Sequence, residues 1–179
     1  MTEKEQQLIK RLRNEFGDKE EPYRFSDDEL LGLLHEAVAD YSKYRPRKRR
    51  GMIAISTDST EYQLPGDYQT WITGLEGYDI FDRTLSFSTP PIGSFNLTFT
   101  YLADQTLESI PDRDVSLLLD YSMWKLLDSV VREGAEISGL KLGKGLEIKF
   151  DNFDKIAKEA EGRQQRYMNS VSMPIGVWA

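Results

Sequence analysis

Six of the eight residues from Lys43 to Arg50 are cations: Lys43, Arg45, Arg47, Lys48, Arg49 and Arg50, interrupted by Tyr44 and Pro46. Clustered Lys and Arg displace the counterions condensed on a nucleic acid and contact its phosphates regardless of base sequence. An acidic protein partner would be met by the same charges. The run stands on a chain with 30 acidic and 23 basic side chains and a formal net charge of −7. Attraction to a polyanion would therefore be local to this segment and not a property of the whole surface. A plainer role is also open, because the run follows a predicted helix and cations complement the dipole at a helix C-terminus. The segment reads as a basic loop that either contacts nucleic acid or an acidic partner, or is only solvated.

Other residues capable of chemistry form no pattern. Gly139-Leu-Lys-Leu-Gly-Lys-Gly145 has three residues between its first glycines and Gly145 after its lysine. A phosphate-binding loop has four residues there and Ser or Thr after the lysine, on a strand-to-helix turn. The segment reads instead as an interhelical loop presenting Lys141 and Lys144. There is no cysteine, hence no thiolate nucleophile, disulfide or Cys-ligated zinc. The single histidine, His35, excludes a His-rich metal site within one subunit and reads as a packing or boundary residue. Carboxylates are numerous enough for a glycosidase-type pair, yet no spacing singles one out. Asp120 falls among apolar positions of its predicted helix and is the acid expected to be paired, in a structural role. No catalytic, cofactor-binding or metal-binding residue is predicted.

The last residues, Ser172–Ala179, read SMPIGVWA, without charge, after a helix dense in charged and amide side chains. Pro174 and Gly176 stop the helix, while Met173, Ile175, Val177 and Trp178 offer apolar surface to bury. Burying those four side chains contributes roughly 6–12 kcal/mol. Ordering the segment costs on the order of 8–16 kcal/mol of backbone entropy. One tail is near break-even, whereas several held in one assembly would dock together. The expectation is a docking tail that is mobile in the free subunit and ordered on a partner.

The elements around these residues follow from their periods. Thr2-x-x-Glu5 and Ser26-x-x-Glu29 are capping boxes. The first opens a helix with Leu8, Leu12 and Phe16 on one side. The second opens a helix with Leu30, Leu31, Leu33, Leu34, Ala37, Val38, Tyr41 and Tyr44 on one stripe, ended by Pro46. Residues 52–102 switch to period two, most cleanly over Ser94–Tyr101, and predict one compact antiparallel sheet of four to six short strands. A helix opening near Pro111 and stopping before Gly134 has two apolar faces. Val115, Leu119, Leu126 and Val130 form one. Leu117, Trp124, Leu127 and Val131 form the other, which needs cover from either the sheet or a second copy of the chain and reads as a subunit interface. A last helix, about 147–170, is apolar on one side only. The fold class is α+β within a single domain, 1–179: a helical core at 24–51 and 103–171, a β insertion at 52–102 and the tail at 172–179. No segment has the roughly 18 apolar residues of a membrane span, and the N-terminus lacks the apolar core of a secretory signal.

The order of these signals resembles the head-to-tail connector, or neck adaptor, proteins of tailed bacteriophages. The residues that carry the likeness are Tyr41-Ser-Lys-Tyr-Arg-Pro46, Tyr62-x-Leu64-Pro65-x-Asp67 and Ile110-Pro111-Asp112-Arg113-Asp114. The resemblance spans most of residues 24–170. It implies a non-enzymatic structural subunit, without cofactor, made in the host cytoplasm and placed in the neck of the virion. It further implies a twelve-fold homo-oligomeric ring beneath the portal protein, continuing the DNA channel toward a tail, stopper or nozzle protein, with transient non-specific DNA contact and no membrane. Members commonly engage the portal through C-terminal segments, which here are Met173, Pro174, Ile175, Val177 and Trp178. Compact members are nearly all-helical, so the β insertion departs from the family. The rival classes are a DNA-associated regulator using the basic loop, and, less favoured, a polymer-degrading hydrolase.

Overall fold

The computed structural model describes residues 1–139 and 151–172. The fold is α+β and divides into two compact units. One comprises Met1–Tyr41 with the described part of Thr106–Ala179, and the other is Ser42–Gln105. The chain thus leaves a helical unit, builds a β unit, and returns.

The helical unit begins with α1, Glu3–Phe16. Its capping box is complete: the Glu5 N–H donates to Thr2 Oγ1 and the Thr2 N–H donates to Glu5 Oε2 at 2.6 Å. Gly17, at φ 87°, ends it by returning its N–H to the Arg13 carbonyl. Helix α2, Asp27–Tyr44, is capped in the same way. The Ser26 N–H and hydroxyl both donate to Glu29 Oε2, and these bonds hold the Glu29 carboxyl below its ordinary pKa. A 3-10 turn, Asp112–Asp114, leads into α3, Val115–Gly139, and α4 is Asp151–Val171. Helix α3 runs through Gly134, beyond the predicted stop. A helical glycine costs only about 1 kcal/mol, and no proline follows it to enforce an end.

Apolar stripes of all four helices meet in one core that includes Leu12, Leu34, Leu118, Leu126 and Tyr167. Polar tethers fix their register. The Tyr41 hydroxyl donates to Asp114, the Tyr121 hydroxyl to Glu36 and the Tyr167 hydroxyl to Asp40, each at 2.7 Å. Burial, then the bond to Glu36, raises the Tyr121 pKa far above its ordinary value, so this hydroxyl remains a donor. Asp120 is paired as expected: its Oδ1 accepts from Arg163 Nη1 at 2.9 Å and from Arg166 Nη2 at 3.3 Å, and Arg163 also reaches Glu15.

This packing corrects the reading of the second α3 face. Leu117 and Leu127 are only 8% and 7% exposed and belong to the unit's own core, with Trp124 and Val131 half-buried. A wheel shows two apolar faces, but α1 and α4 both pack on α3, so both faces have intramolecular cover. Leu127→Ala should therefore destabilise the isolated chain by about 2–5 kcal/mol, read by urea unfolding at low concentration. Unchanged unfolding with altered self-association would restore the interface.

The β unit contains six strands in two sheets, where one sheet was predicted. Strands β1 (Arg47–Ile55), β6 (Phe95–Ala103) and β3 (Tyr68–Thr73) form the first, in the order β1-β6-β3. Strands β2 (Glu61–Gln63), β5 (Thr84–Ser86) and β4 (Asp79–Phe81) form the second, in the order β2-β5-β4, and all pairings are antiparallel. Asp82 and Arg83, at φ 45° and 58°, make the two-residue β4–β5 turn, whose twist matches a hairpin. Ile55, Leu75, Leu85, Leu97 and Phe99 pack in this unit's core. The unit starts at Ser42 instead of 52 because the basic segment is not a loop. After Pro46 breaks α2, Arg47–Arg50 pair with Ala103–Thr100 and open a strand.

Candidate functional site

Strand geometry sorts the basic run, since successive side chains point to opposite faces. Arg47 and Arg49 share the side of Tyr101, the cross-strand partner of Arg49. There Asp67 gathers them: Oδ2 accepts from Arg47 Nη2 at 3.0 Å and from Arg49 Nη1, while Oδ1 accepts from the Tyr101 hydroxyl at 3.0 Å. Asp67 is set by the Pro65-Gly66 turn, with its carbonyl accepting from the Asp104 N–H. Burial pushes its carboxyl upward, but the bonds from Arg49, Tyr101 and Arg47 outweigh it and hold the carboxyl below its ordinary value. The bond to Asp67 raises the Arg49 pKa in turn. These two arginines are thus committed to holding the sheet.

Gly51 follows them because the Phe99 ring lies across its backbone; a Cβ there would stand 2.5 Å from the ring. The alternate residues Lys48 and Arg50 point outward and are exposed, and among the described residues neither forms an ion pair. Their cross-strand partners are Leu102 and Thr100, and Thr100 pairs in turn with Thr73 of β3. Arg50, Thr73, Thr98, Phe99 and Thr100 line a shallow cleft of about 280 Å³. Lys43 and Arg45 are engaged by other groups. Of six cations read as one cluster, the fold therefore leaves Lys48 and Arg50 as a distinct outward pair.

The chain matches no family model and no curated protein.

The remaining predicted positions fall as follows. Met173, Pro174, Ile175, Val177 and Trp178 lie outside the described residues, as do Lys141 and Lys144. His35 is exposed on α2, its Nε2 4.0 Å from Glu5 Oε1, and acts as a boundary residue. Among the described residues no group of His, Cys, Asp and Glu is arranged to hold a metal ion, and no helix is long and apolar enough to cross a membrane.

Sequence reasoning missed a set of exposed apolar residues in the β unit: Met52, Trp71, Ile72, Phe81, Ile92 and Phe95. Phe81 is 85% exposed beside the β4–β5 turn, and Ile92 protrudes fully after Pro90-Pro91. For Phe81 and Ile92 the available signal was turn context, because an apolar residue at a tight turn has no second layer to cover it, whereas Met52, Trp71 and Ile72 lie within β1 and β3. Period-two alternation placed these residues on strands, Ile92 excepted, without showing which faces lack cover.

Proposed function

We propose that the protein is a structural subunit of the neck of a tailed bacteriophage, an adaptor that assembles as a ring beneath the portal protein and continues the DNA channel toward the tail. The observation that carries this reading is where uncovered apolar surface lies. Helices α1–α4 satisfy most of their apolar residues internally, while the β unit presents Trp71, Ile72, Phe81, Ile92 and Phe95 to solvent away from the Lys48/Arg50 rows. These side chains stand on both sheets and on the loop before β6, and adjoining exposed apolar residues among them, such as Trp71 and Ile72, are candidate contact points. In this reading the β unit supplies ring or neck contacts that the α3 face was expected to supply. Supporting it further are the capped helices and the α3/α4 pair in the order the resemblance implies. The uncharged segment at Ser172–Ala179 serves as the portal-docking element, and acidic subunits carrying a local basic strand give a conduit in which DNA slides without adhering. The partners are the portal, a tail or stopper protein, further copies of this chain, and DNA in passing.

Co-expression with the cognate portal followed by cryo-EM tests the assembly. The expected result is one copy of this chain per portal subunit, with β-unit residues at contacts. A portal carrying one or two copies, or none, overturns the proposal.

A further inference from the structure

The outward face of the β1-β6-β3 sheet differs from the rest of the chain. Read across the strands by register, it presents Lys48 with Leu102 and Thr70, then Arg50 with Thr100 and Thr73, then Met52 with Thr98, then Ala54 with Asn96. A chain with 30 Asp and Glu places none on these rows. Carboxylates elsewhere neutralise the neighbouring cations, as Asp67 does for Arg47 and Arg49. We infer that this face, through Lys48 and Arg50 with the hydroxyls of Thr73, Thr98 and Thr100, contacts the phosphodiester backbone of duplex DNA, whereas Arg47 and Arg49 hold the sheet. This deepens the DNA contact in the proposed neck role but stands on the chemistry of the face itself.

Phosphate oxygens are held by Arg and Lys charges together with Ser and Thr hydroxyl donors, and such contacts position a duplex without reading its sequence. Arg50 and three threonines around one shallow cleft supply that combination. An acidic protein would be attracted by the same charges, yet protein interfaces rely on large anchors seated in desolvated pockets. The rows offer only Met52 and Leu102 in that role, and the aromatic residues Trp71, Phe81 and Phe95 stand at other positions. Single-stranded nucleic acid is disfavoured for a related reason, since it is bound by stacking bases on aromatic rings and these rows carry none. The rows themselves carry no carboxylate, so repulsion of a polyanion comes from groups outside them, such as Glu76, which accepts from the Gly74 N–H, and Asp104 just after β6.

The test uses the isotope-labelled full chain and a short random-sequence duplex at low ionic strength, read by amide chemical-shift perturbation. Perturbations should centre on Lys48, Arg50, Thr73, Thr98 and Thr100. Two phosphate contacts predict a log–log salt slope near −1.8, at about −0.9 per contact. The double variant Lys48→Ser/Arg50→Ser should keep its spectrum elsewhere and lose the salt-dependent shifts. Lys48→Arg/Arg50→Lys should retain them. A perturbation map on other surfaces, or an unchanged slope in the double variant, overturns the inference. So do equal shifts with poly-glutamate at matched charge, which would assign the face to an acidic protein. Because the measurement is made on the free chain, its failure leaves the portal experiment untouched, and failure of the portal experiment leaves this one standing.

Discussion

Gly74→Ala should destabilise the β unit by roughly 2–5 kcal/mol, combining overpacking with the left-handed backbone cost. Gly74 sits at φ 91°, and a Cβ there would lie 2.6 Å from the Thr98 carbonyl oxygen and 2.9 Å from the Phe99 Cα. Both neighbours belong to the central strand β6, so relief requires moving backbone and not merely turning a side chain. The same substitution at Gly32 should act in the opposite direction. That glycine lies within α2, and a Cβ there would meet nothing within 4 Å. Gly32→Ala should add about 0.4–1 kcal/mol by restricting the unfolded chain. Urea unfolding of both variants, with amide exchange to locate the weakened region, checks the pair. A Gly74→Ala protein as stable as its parent would contradict the close approach at the β3 terminus.

Asp67→Ala should cost about 2–3 kcal/mol, because it leaves Arg47, Arg49 and the Tyr101 hydroxyl without their common acceptor. The figure stays below that of a fully buried pair because the Arg49 side chain is 47% exposed and solvent screens it. The pH dependence has a definite sign. The folded-state pKa of Asp67 is lowered, so its stabilisation is complete above the ordinary carboxylate value and fades as pH falls through the lowered one. The parent should lose β-unit stability progressively below about pH 5, and Asp67→Asn should show a flatter profile from a weaker starting point. Denaturation curves between pH 7 and 2 supply the comparison. Parallel profiles for parent and variant would remove Asp67 from the acid response.

The helices were the most readable part of the chain. Thr2-x-x-Glu5 and Ser26-x-x-Glu29 form the capping boxes their spacing implies, because a cap depends on residues within one turn. Asp120 was legible for another reason: a carboxylate on an apolar helical stripe needs a cation, and Arg163 and Arg166 provide it. What escaped was decided by neighbours distant in sequence. The cover of Leu117 and Leu127 depends on the other helices around α3, which no single-helix wheel can represent. The division of residues 52–102 into two sheets depends on which short strands pair, and each strand of β2-β5-β4 has only three residues of pattern. The basic run was visible as composition, but its separation into a pair bound to Asp67 and a pair facing outward required knowing that Arg47 begins a strand.

The β unit is contiguous in sequence, whereas the helical unit is assembled from the two ends of the chain. Its boundary residues are joined: the Gln105 N–H donates to Ser42 Oγ at 2.9 Å, and Gln105 Nε2 donates to the Arg45 carbonyl at 2.8 Å. During synthesis, residues 42–105 can therefore close upon themselves as soon as Gln105 has left the ribosome. Helices α1 and α2 must wait, with leucines exposed, until α3 and α4 have been translated. Once closed, the insertion ties off the long intervening segment, so the two halves of the helical core search for each other across a short effective tether and not across sixty-odd residues of loose chain.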